Sequence, residues 1–261
     1  MRARTATIAA MHRPRRLGRP PPWLLATTAA AALALLALAG QAAWRMGQAT
    51  TLARLSEPLQ QAPPQARLRL LIVGDSTAVG TGASSARNSL AGLIAQAYPA
   101  LAIENRAQDG ARFADVEAQL AGDDHFDLVL VQAGGNDVIR LVGDDRLQAD
   151  IERVLSRARQ TADRVVLMPA GNVGNAPFFF APVSWWMTRR ARHLHALLRA
   201  SAARHAALYV NLFRERADDP FAHQRALHAV DGLHPSDAGY RLWFDALTTQ
   251  ADLPRLLAAA R

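Results

Sequence analysis

Residues 68–80, LRLLIVGDSTAVG, decide the fold, because an apolar run ends in glycine and is followed at once by small polar residues. The run 68–73 is apolar except for Arg69, which is typical of a strand buried on both faces of a parallel sheet. In such sheets, ligands bind beyond the carboxyl ends of the strands. The stretch therefore predicts a central strand and, just after it, the polar residues of a candidate site.

The rest of the chain repeats this pattern, since further apolar strands alternate with segments of helical spacing. Predicted strands cover 68–73, 101–105, 126–132, 164–168 and 207–212, and predicted helices cover 88–98, 113–120, 146–161, 185–205 and 236–250. Such alternation places helices on both faces of a parallel sheet. The sequence therefore predicts an α/β fold, a three-layer α/β/α sandwich with a central parallel sheet, over residues 67–261.

Four clusters of polar residues and glycine occur at the ends of these elements. Three follow predicted strands and one precedes the last helix; they are Gly74-Asp75-Ser76, Asn105 to Gly110, Gly134-Gly135-Asn136-Asp137 and Asp231-Gly232-Leu233-His234-Pro235. The first cluster forms neither the G-x-G-x-x-G loop of dinucleotide-binding folds nor the G-x-S-x-G elbow of lipases. Another chemistry is therefore needed to explain it.

Ser76, Asp231 and His234 contain the groups of a nucleophilic triad. A serine hydroxyl becomes a nucleophile near neutral pH only when a base, usually histidine, accepts its proton. Asp231 and His234 are three residues apart, which lets the carboxylate meet imidazole Nδ1 and leaves Nε2 for Ser76. Taken singly, each has a simpler interpretation: Ser76 as a helix cap, and the Asp–His pair as a local cap.

Acyl transfer also needs donors that hold the oxyanion of a tetrahedral intermediate. The backbone N–H groups of Ser76 and Gly110 and the side-chain amide of Asn136 are the candidates. Taken alone, Gly110 also fits a turn glycine, and Asn136 a turn residue or cap.

Together the four clusters, in this order, resemble those of the SGNH hydrolase family, the GDSL-type esterases and lipases. The resemblance runs from about Arg67 to the carboxyl terminus and rests on GDS (74–76), GGND (134–137) and DGLHP (231–235). It implies a flavodoxin-like sandwich and hydrolysis of esters or thioesters without a metal or other cofactor. Ser76, Asp231 and His234 would be the triad, with Ser76, Gly110 and Asn136 as the oxyanion hole.

The composition excludes several other chemistries. All 30 basic side chains are arginine, and the chain has neither lysine nor cysteine. Lysine-dependent phosphate loops and Schiff bases, cysteine nucleophiles, disulfides and cysteine zinc sites are therefore excluded. Residues 1–22 carry six of the eight net positive charges, so the remainder has a net charge of only +2. A nearly neutral domain argues against a nucleic-acid partner.

The amino-terminal region is predicted as a membrane segment. Residues 23–44 are uncharged and rich in alanine and leucine, follow the basic tail 1–22, and have Trp23 and Trp44 at their ends. Such a stretch is long enough to span a bilayer with the basic side in the cytoplasm. It is either an uncleaved signal anchor or a signal peptide cut after Ala39. Residues 45–66 are predicted as a linker, and the domain as periplasmic or secreted.

An aromatic segment, NAPFFFAPVSWWM (175–187), precedes the longest helix of the domain. Phe178, Phe179, Phe180, Trp185 and Trp186 are predicted to bind substrate, as the wall of an acyl pocket or a lip that touches the membrane. The alternative is a loop packed on the core.

The predicted function is an exported serine esterase acting on a small-molecule ester, a lipid or an acylated glycan. Three alternatives remain open at this stage: an O-acetyl esterase for envelope glycans, an acyltransferase with the same triad, and a non-catalytic binding module. The sequence specifies neither the acyl-chain length nor the oligomeric state.

Overall fold

The computed structural model describes residues 21–258, and within them every side chain except those of Leu25, Ala34 and Leu35. The predicted basic tail, residues 1–22, lies outside the described residues apart from its last two prolines. Helix α1 (Pro22–Leu55) is long and apolar enough to cross a membrane, a property that it shares with signal sequences. The chain divides into two compact units, one ending at Ala43 and one beginning at Trp44.

The second unit is built on a sheet of five parallel strands in the order β2-β1-β3-β4-β5. The strands are β1 (Leu68–Gly74), β2 (Leu101–Asn105), β3 (Phe126–Gln132), β4 (Ala162–Leu167) and β5 (Leu208–Tyr209). The fold class predicted from the sequence, a parallel sheet between two layers of helices, is confirmed.

Alternate residues of the central strands point to opposite faces of the sheet, and each face has its own core. Leu71 and Val73 of β1 belong to a cluster that includes residues of α4 (Phe113–Gln119), α6 (Asp144–Thr161) and α7 (Val183–Arg204). Leu70 and Ile72 belong to the other cluster, with residues of α3 (Leu90–Ala97), α9 (Asp237–Gln250) and α10 (Leu253–Ala258). Burial on both faces explains why β1 is apolar from Leu70 to Val73 instead of alternating.

The structure also has three short helices, two of which contain residues of the predicted polar clusters. They are α2 (Ser76–Val79), α5 (Gly135–Ile139) and α8 (Pro220–His223). Helices α2 and α5 begin at the carboxyl ends of β1 and β3, so the polar clusters occupy the edge at which parallel sheets bind ligands.

Half of the segment predicted as a linker, residues 45–55 of 45–66, is helical. Helix α1 continues into the segment as far as Leu55 and ends before Pro58, the first proline of the segment. Beyond the helix, Gln61 forms an isolated antiparallel bridge with Ile103 of the edge strand β2, with N···O distances of 2.9 and 2.8 Å. The segment thus pairs with part of an edge that would otherwise expose its backbone groups.

Candidate active site

Ser76 is the first residue of α2, immediately after β1. The turn is held by Asp75, whose carboxylate accepts hydrogen bonds from the Thr77 backbone N–H at 2.9 Å and the Thr77 hydroxyl at 2.7 Å. Gly74 has φ of +147°, and a Cβ there would lie 1.9 Å from the backbone oxygen of Gln132. Glycine is therefore needed where the chain leaves the sheet, and this turn places Ser76 at the sheet edge.

Asp231 and His234 meet in the loop before α9. The Nδ1 atom of His234 lies 2.6 Å from Asp231 Oδ2, and Nε2 lies 2.9 Å from the Oγ atom of Ser76. The other carboxylate oxygen of Asp231 accepts hydrogen bonds from the backbone N–H groups of Leu233 and His234, at 2.9 and 3.1 Å. The three predicted triad residues therefore form one continuous hydrogen-bonded chain.

Close contact between two loops brings Ser76 and His234 together. A Cβ on Gly82 would lie 2.5 Å from the Pro235 oxygen and 2.9 Å from the Cβ atom of His234, so glycine permits this approach. The buried hydroxyl of Tyr240 donates to the backbone oxygen of Thr81 at 2.8 Å. Residues 80–82 are thus held against the loop and helix that carry the histidine.

The carboxylate of Asp231 is fully buried but well supplied with donors. Burial by itself would raise its pKa; the hydrogen bond and charge of His234 and the two backbone N–H groups outweigh burial and lower the pKa below the ordinary value. The Arg225 guanidinium donates to the backbone oxygens of His228, Ala229 and Val230, just before Asp231. Arg225 therefore stabilises the loop, a role that sequence spacing did not reveal.

Gly110 and Asn136 line the same cavity as Ser76. Within residues 21–258, no acceptor pairs with the backbone N–H of Ser76 or of Gly110. One N–H of the Asn136 amide donates to the backbone oxygen of Ala111 at 3.1 Å, which leaves the second available. Each of these three groups therefore has an N–H at the cavity that no protein acceptor occupies. An oxyanion requires such free donors.

The cavity beside Ser76 has a volume of about 370 Å³. The five aromatic residues predicted to bind substrate are not among those that line it, so they do not form its wall. Their alternative role, as a lip that touches the membrane, stays a prediction. Buried Ser184, Met187 and Ala191 share one face of α7, which leaves Trp185 and Trp186 on the exposed face, 71% and 48% exposed. Phe178 instead donates its backbone N–H to Gly232 at 3.0 Å. The lining contains residues from α1 that the sequence did not suggest: Met46, Ala49, Thr50 and Ala53.

Two further carboxyl groups, Asp75 and Asp137, are buried beside the site. Burial raises the pKa of Asp75 to about 6. Burial raises the pKa of Asp137 to about 7, and the nearby charge of Asp75 contributes to this shift. One oxygen of Asp137 accepts from the backbone N–H of Phe113 at 3.2 Å, and the other has no partner among the described residues. Ionising these groups in the folded state is therefore unfavourable.

We expect Asp137→Asn to flatten the pH dependence of stability. A carboxyl whose pKa is raised by folding stabilises the protein fully below the unfolded value of 3.8 and loses this contribution as pH rises towards about 7. Between pH 4 and 8, the wild-type free energy of unfolding should fall relative to the variant by a few kcal/mol, at about 1.4 kcal/mol per pH unit. Denaturant unfolding of the detergent-solubilised full chain measures the difference.

The control is Asp218→Asn, which removes an exposed carboxylate instead of a buried one. It should follow the wild-type curve. An Asp137→Asn variant that loses stability with rising pH as steeply as the wild type would contradict the expectation.

The chain is similar to one family model and to several solved structures. Residues 72–242 match the family model of the GDSL-like Lipase/Acylhydrolase family. No curated protein sequence matches the chain. Similar solved structures include TesA, with 20% identity and a TM-score of 0.58 over 71% of this chain and 98% of that one. The acetyl xylan esterase Axe2 from Geobacillus stearothermophilus has 21% identity and a TM-score of 0.52 over 71% and 94% of the two chains.

A third similar structure is the psychrotrophic esterase EstA from Pseudoalteromonas sp., in a form inhibited by monoethylphosphonate. It has 17% identity and a TM-score of 0.53 over 71% of this chain and 97% of that one. At these identities the structural likeness concerns the fold, whereas the family match covers more than half of the chain. The chain thus belongs to the GDSL-like lipase/acylhydrolase family and is a hydrolase of ester bonds.

Proposed function

We propose that this protein is an exported serine esterase that cleaves carboxylic esters or thioesters through an acyl-enzyme on Ser76. The observation that carries the proposal is the hydrogen-bonded chain from Ser76 Oγ through His234 to Asp231, with distances of 2.9 and 2.6 Å. The nucleophile is in contact with the base, and the base with the residue that orients it.

In the first step the Ser76 hydroxyl attacks the acyl carbonyl carbon while its proton moves to His234 Nε2. The electron pair of the C=O π bond moves to the carbonyl oxygen, which becomes an oxyanion. Asp231 stabilises the imidazolium that has formed on His234. The intermediate then collapses, and the leaving alkoxide or thiolate takes the proton from His234. Asp231 is suited to this role because its lowered pKa keeps it ionised near neutral pH.

The oxyanion is held by the backbone N–H groups of Ser76 and Gly110 and by the side chain of Asn136. The two backbone donors are free of protein acceptors within residues 21–258. They need no rearrangement when charge develops, which is the condition under which such donors accelerate acyl transfer most.

A water molecule completes the cycle. His234 removes a proton from this water, and the water oxygen attacks the acyl carbon of the acyl-enzyme. The reaction regenerates the Ser76 hydroxyl and releases a carboxylic acid. Every proton transfer uses His234, so the steps need only residues of the chain besides the ester and water. An acyltransferase would differ only in replacing water with another hydroxyl acceptor.

The proposal also places the catalytic unit outside the cytoplasm, as a periplasmic domain on an inner-membrane anchor or as a secreted domain. This placement is supported by the apolar helix α1 and by the six arginines that precede it in the sequence. Basic residues beside a membrane segment favour retention of their end of the chain in the cytoplasm. Protease added to cells with a permeabilised outer envelope should digest the domain. Complete protection until the inner membrane is lysed would contradict this placement.

Reaction with an alkyl fluorophosphonate tests the esterase proposal. Ser76 Oγ should displace fluoride and form one phosphonyl ester per chain, found by mass spectrometry on the peptide that contains Ser76. This is related to the phosphonate chemistry that inhibits EstA. The variant His234→Ala should react at least about 100-fold more slowly, since it lacks the base.

Label on another residue, or equal labelling of wild type and variant, would overturn the assignment of the nucleophile. Complete lack of reaction would instead favour a non-catalytic binding module. Products formed with water or with a sugar acceptor distinguish a hydrolase from an acyltransferase.

A further inference from the structure

The last turns of α1 contribute one wall of the catalytic cavity. Met46, Ala49, Thr50 and Ala53 line this cavity together with Ser76 and His234; we call these four residues the α1 wall. Their spacing of three, one and three residues places them on one face of the helix. They belong to the compact unit that begins at Trp44 and contains the sheet. The wall is therefore part of the catalytic unit itself.

Contacts at both ends hold the α1 wall in place. Before it, the guanidinium of Arg45 donates a hydrogen bond to the backbone oxygen of Pro177. Pro177 adjoins Phe178, whose backbone N–H donates to Gly232 in the loop that carries the triad acid and base. After it, the Gln60 side-chain amide donates to the backbone oxygen of Asn105 at 2.7 Å. The wall is thus tied to the same framework as the proposed catalytic residues.

The α1 wall offers apolar surface and little hydrogen bonding. Three of its members are alanine or methionine, and the Thr50 hydroxyl donates to the backbone oxygen of Met46 at 2.9 Å. Apolar side chains also come from the domain, and they include Ile139, Val173, Leu212, Leu233, Phe221 and Trp243. The lining also contains polar residues, among them Arg140 and Asn172, but most of its exposed surface is apolar. Apolar walls of this kind bury the apolar part of a ligand.

Several polar residues of the lining are already engaged by protein groups. Asp109 accepts from the Thr81 hydroxyl at 2.7 Å, and Asp219 accepts from the Asn175 amide at 2.7 Å. His228 Nε2 lies 2.8 Å from the backbone oxygen of Phe221, and its Nδ1 is the ring atom without a partner among the described residues. A carbohydrate would need such groups free to bind its hydroxyls, because a buried polar group without a partner is costly. The cavity therefore suits a hydrocarbon chain better than a sugar.

We infer that the α1 wall binds the aliphatic acyl chain of the substrate, which makes the protein an esterase for medium- to long-chain acyl esters. This inference rests on the proposed function and adds the substrate class to it. At about 30 Å³ for a water-sized group, a cavity of about 370 Å³ holds on the order of ten methylene groups. Such a chain occurs both in soluble esters and in membrane lipids, and the experiments below distinguish these sources.

The absence of native cysteine permits a direct test of occupancy. Thr50 and Thr51 are adjacent and exposed, and each hydroxyl donates to the helix backbone at 2.9 Å, but only Thr50 lines the cavity. In the full chain, T50C and T51C each introduce a single thiol with little change in size. The alkylation rate of each thiol is measured before and after Ser76 has reacted with an ethyl or a dodecyl fluorophosphonate.

A dodecyl group on Ser76 should slow alkylation of T50C at least about tenfold, because thiol reactivity follows access. The ethyl group should have little effect, and T51C should react equally in all three states. Equal rates for T50C with dodecyl and ethyl adducts would overturn the inference. If Ser76 takes up neither phosphonate, the proposed function fails instead, so the two failures are distinguishable.

A second pair of variants tests chain-length preference. In T50W, an indole would fill cavity space, so kcat/KM for p-nitrophenyl dodecanoate relative to acetate should fall at least about tenfold. T51W carries the same change away from the cavity and should retain the wild-type ratio. An unchanged ratio in T50W would contradict the inference.

Phospholipid vesicles and a soluble dodecanoyl ester identify the source of the chain. Release of fatty acid from the vesicles by the wild type, reduced in T50W, would identify membrane lipids as substrates. Hydrolysis of the soluble ester without release of fatty acid from the vesicles would identify soluble esters as the source of the acyl chain. Preference of the wild type for acetyl groups on a polysaccharide over both would overturn the assigned substrate class.

Discussion

Ser76→Ala should abolish ester hydrolysis, lowering kcat by about a million-fold and leaving only background turnover. The hydroxyl is the atom that would bond to the acyl carbon, and its hydrogen-bond partner is His234 Nε2 at 2.9 Å. Without it, neither the acyl-enzyme nor the proton transfer can occur. Turnover of a p-nitrophenyl ester by the purified full chain measures the loss.

The fold should tolerate this change, because the turn does not depend on the Ser76 side chain. Asp75 caps α2 through Thr77, and the Ser76 backbone oxygen accepts from Gly80 and Thr81 at 3.0 and 2.9 Å. The free energy of unfolding should stay within about 1 kcal/mol of the wild type. Ser85→Ala, at an exposed serine without a capping bond, is the matched control and should retain full activity. Unchanged turnover in Ser76→Ala would disprove the assignment of the nucleophile.

Asp231→Asn should reduce kcat/KM by about 10⁴-fold through a change of histidine tautomer. One oxygen of Asp231 accepts from two backbone N–H groups, which would hold the oxygen of the asparagine amide in the same place. The amide N–H₂ would then face His234 Nδ1 and require it to be an acceptor. The remaining imidazole proton would move to Nε2, which could no longer accept the proton of Ser76.

Nitrogen NMR of the histidine ring can test this cause separately from the rate. The variant should show the proton on Nε2, whereas the wild type should show it on Nδ1. Asp245→Asn removes an exposed carboxylate in α9 and should change neither the spectrum nor the rate. A loss of less than about tenfold in Asp231→Asn would show that the carboxylate is not needed to orient the base.

The sequence predicted the sheet well because its signals are local. β1 and β3 each contain an apolar run of four residues, 70–73 and 128–131, which follows from burial on both faces and requires no knowledge of the partner strands. The short helices α2, α5 and α8 were not predicted as helices, because four or five residues are too few to show helical periodicity. Composition also did not reveal that α1 extends to Leu55, within the segment 45–66 predicted as a linker.

The candidate site divides in the same way. Asp231 and His234 are three residues apart, so their pairing could be predicted from spacing. Ser76 lies 158 residues before His234, and their meeting could be predicted only through resemblance to a family. The aromatic residues 178–186 were predicted to bind substrate from their type alone, but type does not determine which side chains line the cavity.

The sequence by itself determined the α/β class, the apolar amino-terminal segment and the chemical groups available for catalysis, because periodicity, length and residue type are properties of neighbouring residues. The tertiary structure decided how the loops of Gly82 and His234 approach each other, which side chains line the cavity, and that α1 reaches it. Such contacts join residues as distant as Arg45 and Pro177, 132 positions apart. They depend on long-range packing, which local patterns along the chain do not specify.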